Sequence, residues 1–478
     1  MNTSSAVEWE GLTADDCIKK MFNVARDGRL EILQDLVKQN PRYAAIIKDN
    51  INHLDDQELG LLHYSARNYN LNCLRYFIDQ LGADPHLEGR NRCTPLHMVS
   101  KVSNVNEIGL APAVETNESN LINDDESFKE FLGNVLEPAT LALLSQENIR
   151  SRRFHPVVHY LVSIPNLNVN IQDSNGMTPL HYYALRGYEL ATLQLLVSNK
   201  GIVNNVKDRD GLTPLALAVT HNHISIVKLL LLYAKADRVS DDNYGMIGLH
   251  RAVLANNIEC VKLLLEKRPE RQLENKDKAN RTPLHLAIRD GHLEMARYLI
   301  DRGASLTVRT GELDSLLHLA VRSDEKDMVL MLLNSIEGAQ SRFLLDCENA
   351  NEQTPLHVSA LSDTPTVAQL LIDFGAYRDV RDMNHRTPIM LAAMENSLAV
   401  LQVLLENHVS VVCFDKYFKS TLFLAVENNC IEAVEMLLKY GHANLVHRGD
   451  LTGNTPLLIA ASSGRIEIMD MLIKSGAL

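Results

Sequence analysis

The sequence predicts an all-α solenoid of about 12 helix-turn-helix units joined by short hairpin loops and broken by one long insert. Three observations predict it. A four-residue motif starts at Thr94 (TPLH), Thr178 (TPLH), Thr213 (TPLA), Thr282 (TPLH), Thr354 (TPLH), Thr387 (TPIM) and Thr455 (TPLL), with weaker copies at Gly60 (GLLH), Ile247 (IGLH), Ser315 (SLLH) and Ser420 (STLF). Successive spacings are 34, 84, 35, 34, 35, 33, 39, 33, 33 and 35, so eight of ten lie between 33 and 35. The chain has 478 residues, more than a single core of roughly 250–300 residues accommodates.

Each unit reads as a turn, a short helix, a loop and a second helix, as in residues 281–304 (RTPLHLAIRDGHLEMARYLIDRGA). Thr282 stands where an N-cap hydroxyl would accept a free backbone N–H. Thr94, Thr178, Thr213, Thr354, Thr387 and Thr455 repeat that position. Pro283 occupies the first helical position, where its missing N–H costs nothing. Leu284 opens the apolar face. Ala287 is small, like its equivalents at 218, 252, 320, 392, 425 and 460, so neighbouring helices can approach closely. Gly291 tolerates the positive φ that stops the first helix. Leu293, Ala296, Leu299 and Ile300 give the second helix its buried stripe, and Gly303 ends it. These residues and this period resemble the ankyrin repeat, and the resemblance covers roughly residues 20–478.

Taken in order, residues 1–16 read as an N-terminal tail and 17–103 as repeats, the first of them degenerate over Met21–Val37, with Gly28 at its helix–helix turn. Residues 104–153 read as an insert that separates HMVSKV from its partner helix HPVVHYLV. Its first part (APAVETNESNLINDDES) is acidic and polar, a composition that buries little apolar surface. Its second part (SFKEFLGNVL, then ATLALLSQ) suits one or two short amphipathic helices. Repeats resume over 154–478, with a smaller insert near SIEGAQSRF in the 39-residue unit. The last unit carries Leu457, Leu458, Ile459, Ile466, Ile468, Met469, Met471, Leu472 and Ile473. Terminal repeats normally have a polar outer face, so this unit is expected to be an internal one whose neighbour is missing.

Composition narrows the function. With 47 basic against 60 acidic residues the net charge is −13, which argues against nucleic acid as a partner. Seven scattered cysteines, never in CxxC spacing, argue against a disulfide framework or a cysteine zinc site and fit a reducing compartment. The opening MNTSSAVEWEGL lacks the basic and apolar regions of a secretory signal. No run of 18 apolar residues occurs, so membrane insertion by this segment itself is not expected. HExxH, GxGxxG, GxxxxGK[ST] and GxSxG are absent. The sequence therefore nominates no catalytic, metal or cofactor-binding residue, and the chain reads as a non-enzyme.

Seven of 18 histidines, His63, His97, His181, His250, His285, His318 and His357, occupy the fourth motif position. One per layer, they stand too far apart to share a metal whose ligands lie within about 2–2.3 Å. They are expected to hydrogen-bond their own turn and the neighbouring repeat. Among the cysteines, Cys413 lies near a turn beside Lys416 and Lys419. It is the candidate for a reactive thiol, and Cys347 is likewise expected near the surface.

The second half resembles the N-terminal ankyrin domain of the transient receptor potential channels of the ankyrin subfamily. The likeness rests on order over about 245–478. TPLHLAIRDGHLEMARYLIDRGA is followed by the lengthened SLLHLAV unit, then by TPLHVSA and the apolar variant TPIMLAAMENSLAVLQVLLENHVSVVCFDKYFKSTLFLAV. GDLTGNTPLLIAASSGRIEIMDMLIKSGAL also looks like a later unit of that family. The resemblance implies the cytoplasmic N-terminal part of a tetrameric cation channel, on the cytoplasmic side of the plasma membrane, that helps transduce a stimulus to a gate. The sequence departs from that family in carrying no transmembrane helices and no juxtamembrane sensing cysteines, and in the 104–153 insert. Residues 1–240 match only as generic ankyrin. The alternative is a stand-alone soluble scaffold for protein partners.

Stacking leaves hairpin tips and the concave helix face free for protein partners. The tip FDKYFKS places Tyr417 and Phe418 where most tips carry Asp, Asn or Gly. They are candidate contact anchors, or Phe418 folds back onto its neighbour's tip. Tyr244, in SDDNYGM, is a weaker candidate. Limited proteolysis is expected to cut first within 104–153; protection there would show an ordered insert.

Overall fold

A computed structural model describes residues 13–39, 41–101, 156–187, 201–232, 235–335, 339–440 and 445–477. The insert expected over 104–153 lies outside them, as does most of the expected tail. The described residues are helical, with one isolated antiparallel bridge between Phe414 and Ser420. The chain divides into two compact units, Met1–Asn243 and Tyr244–Leu478.

In the first unit, first helices stack in the order Ala14–Asp27, Leu61–Arg67, Pro95–Lys101, Pro179–Arg186 and Pro214–Thr220. Ala14 is the first helical residue among those described, so the expected tail boundary at 16/17 falls inside a helix. Thr13 caps it, exchanging hydrogen bonds with Asp16 in a capping box. Helix Pro95–Lys101 packs on Pro156–Ser163, the segment expected to be its partner across the insert. Helix Leu71–Arg75 runs into a π-turn over Tyr76–Gln80 that periodicity did not foretell.

In the second unit, seven first helices stack from Gly248–Leu254 to Pro456–Ser462, and each packs on its own second helix. The small positions are closed: Ala252, Ala287, Ala320, Ala392, Ala425 and Ala460 are fully buried. A larger side chain there would separate the layers, because protein interiors have no spare volume. Two additions fall at the far ends of second helices. Pro269–Leu273 is a short extra helix entered through Arg268 at φ 51°, and Ala339–Asp346 belongs to the lengthened unit.

Gly291 has the expected left-handed φ, 72°. The expected Thr cap needs correction. Where the fourth motif residue is His, the Thr hydroxyl meets the imidazole instead of the helix N–H, as in Thr282 Oγ1 to His285 Nδ1 at 2.7 Å. Where the histidine is missing the hydroxyl turns to the backbone, accepting from Ala216 at Thr213 and from Leu458 at Thr455, while the Ser315 hydroxyl meets both the His318 ring and its backbone N–H. Thr387, also without a histidine, meets the sulfur of Cys413.

Leu284 is buried between layers. Truncating a buried leucine removes its transfer energy and leaves a cavity, together about 2–5 kcal/mol. Leu284→Ala is expected to lower the chemical-denaturation midpoint accordingly. An unchanged curve would mean that the assigned stacking register is wrong.

Candidate interaction surface

Most hairpin tips are built around an aspartate five residues before the motif start, a position the sequence analysis passed over; Gly89 and Thr310 stand there before Thr94 and Ser315. Asp277 Oδ1 accepts the N–H groups of Ala279 and Arg281 at 2.9 and 2.8 Å. Asp173, Asp208, Asp382, Asp415 and Asp450 repeat this geometry, and Asn349 substitutes for it. This Asx-type turn fixes the loop before any neighbour is met. Burial works against the Asp277 charge, but the Arg281 guanidinium and these N–H groups hold its carboxyl below the ordinary range.

Tips then join one another through single backbone bonds. In the second unit these run from Lys278, Gly311, Ala350, Met383, Lys416 and Leu451 to the carbonyls of Tyr244, Ala279, Glu312, Asn351, Asn384 and Tyr417, at 2.8–3.1 Å. The histidines fasten the next level. His285 Nδ1 accepts the Thr282 N–H at 3.1 Å, so the ring is neutral and Nε2–H donates to the Val308 carbonyl at 3.1 Å. His97, His181 and His357 likewise donate to Met177, Leu212 and Arg386, one layer on. His63, His250 and His318 reach Cys93, Arg281 and Gln353.

A further contact joins the residue before the Thr to the one seven after it, across the angle between tip and first helix. Arg322 meets Asp314 at 2.5 Å. Lys419 meets Glu427 at 2.6 Å with the polarity reversed. Arg386 reaches the sulfur of Met394, and Lys101 that of Cys93.

Outward-facing groups complete the surface. Tyr417 is 49 % and Phe418 59 % exposed. Phe418 holds φ 60°, at the tip position where Gly176, Gly211, Gly245 and Gly453, and also Asn280, Leu313, Glu352 and His385, have positive φ. Its ring stacks at 6.3 Å on Phe414 of its own hairpin, and it stays exposed. Lys416 and Lys419 lie over the Tyr417 ring at 5.2 and 5.8 Å. Met383 and Leu451, on the adjacent tips, are exposed too, as is Tyr244.

The expected surface position of Cys347 and Cys413 is overturned. All seven cysteines are buried, Cys347 and Cys413 among them. The Cys413 sulfur lies between the Thr387 and Thr421 hydroxyls at 3.3 and 3.4 Å, and burial pushes its thiol up. Lys416 and Lys419 point elsewhere, to Asn384 and Glu427. Among the described residues, no group of three His, Cys, Asp or Glu is placed to hold a metal. None of their helices is long and apolar enough to cross a membrane.

A profile described as Ankyrin repeats (3 copies) matches residues 149–242, 231–310, 249–342, 317–415 and 412–478. The chain belongs to the ankyrin-repeat family. Ankyrin repeats are generally non-catalytic protein-interaction modules. The human Transient receptor potential cation channel subfamily A member 1 is 26 % identical over 217 residues, which are 44 % of this chain and 19 % of that protein. Mouse Rabankyrin-5 is 32 % identical over 143 residues, 30 % of this chain and 12 % of that one. Human Protein phosphatase 1 regulatory subunit 27 is 42 % identical over 87 residues, 18 % of this chain and 53 % of the relative. In each case less than two thirds of the relative is spanned.

The buried imidazoles make the stack acid-sensitive. Burial, the largest cause, lowers His97, His181, His285 and His318 from 6.5 to about 4. Unfolded chains take up protons below 6.5 while the folded ring resists to about 4. Stability is therefore complete above 6.5 and falls with pH between those values, by about 3 kcal/mol per fully protonated histidine. Urea midpoints should drop clearly from pH about 7 to about 5. Equal midpoints would contradict neutral, buried rings.

Proposed function

We propose that the chain is a non-enzymatic interaction module that binds protein partners through its hairpin tips and the adjoining ends of its first helices, with Tyr417 and Phe418 as anchors and Tyr244 as a secondary contact. Phe418 carries this reading. A bulky residue at left-handed φ costs roughly 1–2 kcal/mol, and an exposed ring recovers little of it by burial. Glycine would relieve the strain at the same position. A residue unfavourable to the fold, adjacent to Tyr417 and to the exposed Met383 and Leu451, fits selection for contact.

The finer reading is that this module is the cytoplasmic N-terminal part of an ankyrin-subfamily TRP cation channel, with homotetrameric partners and a plasma-membrane location. The order of units over 245–478 and the likeness to the human channel support it. The stand-alone scaffold is supported by comparable likeness to Rabankyrin-5 and to a phosphatase regulatory subunit. Reading the transcript past the Leu478 codon separates the two. Further repeats followed by several apolar runs of about 20 residues favour the channel, and an immediate stop favours the scaffold.

Phe418→Gly tests the anchor. The melting temperature should stay level or rise, since relief of strain offsets the lost ring contact and the added chain freedom of glycine. Proteins co-purified from the source tissue and quantified against the unmodified chain should fall severalfold. Unchanged capture would remove Phe418 from the interface.

A further inference from the structure

One of the contacts between tip and first helix pairs groups unlike those in the other layers. Lys101 Nζ lies 2.8 Å from Cys93 Sγ and 3.0 Å from Asp173 Oδ2, and 4.7 Å from the centre of the Tyr182 ring. Tyr182 donates its hydroxyl to the same Asp173 oxygen at 2.7 Å. Cys93 and Asp173 are buried, while the Lys101 side chain is 28 % exposed. Cys93 and Lys101 hold the positions that Asp314 and Arg322, or Lys419 and Glu427, hold in other layers. Here alone among those pairs the partners are a thiol and an amine, a combination that can become covalent.

We propose that Cys93 and Lys101 form an oxidant-driven, reversible N–O–S bridge that staples the hairpin tip to the end of the first helix in this layer. Contact at hydrogen-bond distance leaves room for one bridging oxygen without moving either backbone. Hydrogen peroxide supplies the oxidation. One equivalent converts the thiol to a sulfenic acid and releases water. The ammonium gives up a proton to solvent, and a second equivalent oxidises the free amine to a hydroxylamine, again releasing water. The hydroxylamine oxygen then attacks sulfur, the S–OH bond breaks, and a third water leaves. Sulfur and nitrogen are oxidised and two peroxides are reduced. A dithiol reductant opens the link by attacking sulfur, which releases the Lys101 hydroxylamine and, through a mixed disulfide, the Cys93 thiol.

Peptide mass spectrometry of the full chain tests this. Trypsin normally releases residues 93–101 by cutting after Arg92 and Lys101. After peroxide, the bridged chain should resist cleavage at Lys101 and yield 93–129, about 14 Da heavier (one oxygen gained, two hydrogens lost). Alkylation of Cys93 should be lost and should return with dithiothreitol, which leaves Lys101 about 16 Da heavier as its hydroxylamine. Oxidation of Met98 is distinguished by about 16 Da and intact cleavage at Lys101. Lys101→Arg keeps the positive charge beside Asp173 and should abolish the bridge. Normal cleavage at Lys101 with Cys93 carrying only added oxygens would overturn the proposal. So would a product about 2 Da lighter, which is a direct S–N bond.

Discussion

A helix of seven to nine residues is too short to persist in water on its own, and a pair of them has an apolar surface on both sides. Every layer therefore depends on its neighbours, and in the seven layers whose fourth motif residue is His the interaction that fixes neighbour to neighbour is the buried imidazole bridge. His285 closes its own turn through Nδ1 and reaches the next layer through Nε2–H. Both ring nitrogens are used, so the ring must be neutral. The bond sets the spacing at which Ala287 and its equivalents can close, and hence the packing of the leucines around them. A charged ring would retain the donor and lose the acceptor, leaving the Thr N–H unpaired in a buried site.

Most of this architecture is legible because period-33 repetition averages away local ambiguity. Pro283 after Thr282, the small Ala287 and Gly291 each have one physical reason to stand where they do. Features that depend on what a side chain meets across space are less legible. The Thr282 hydroxyl looks like a helix cap from its sequence position, but the imidazole three residues on offers a closer partner. Cys413 looks exposed beside two lysines, yet the chain turns its sulfur inward between two hydroxyls and sends the lysines to other groups. The tip aspartates were visible at a fixed offset and were passed over. Helix Pro269–Leu273 had only a proline to announce it.

The contact between tip and first helix shows what the stack requires and what it leaves free. Asp314 with Arg322 and Lys419 with Glu427 fill the same two positions with opposite polarity. In these two layers complementarity matters, not the identity of either residue, whereas Arg281 and Arg289 hold the positions in the Thr282 layer and pair instead with Asp277 and Asp290. Such partly exposed pairs contribute little individually, about 0–1 kcal/mol. Their value lies in holding the tip at a set angle over the first helix, which determines where the outward side chains of that tip point.

Phe418 is where that geometry and stability diverge. Its backbone conformation is one that Gly211, Gly245 and Gly453 adopt without strain, and the ring gains only a stack with Phe414. The tip is already held by Asp415 through two N–H bonds and by its backbone bonds to the tips on either side. Folding therefore does not need the aromatic side chain. A rigid loop that displays a strained, exposed ring keeps it pre-organised, so a partner that buries the ring loses little conformational entropy on binding. The same rigidity confines any contact surface to this tip and its immediate neighbours, where Met383, Tyr417 and Leu451 lie within one continuous run of tip-to-tip hydrogen bonds.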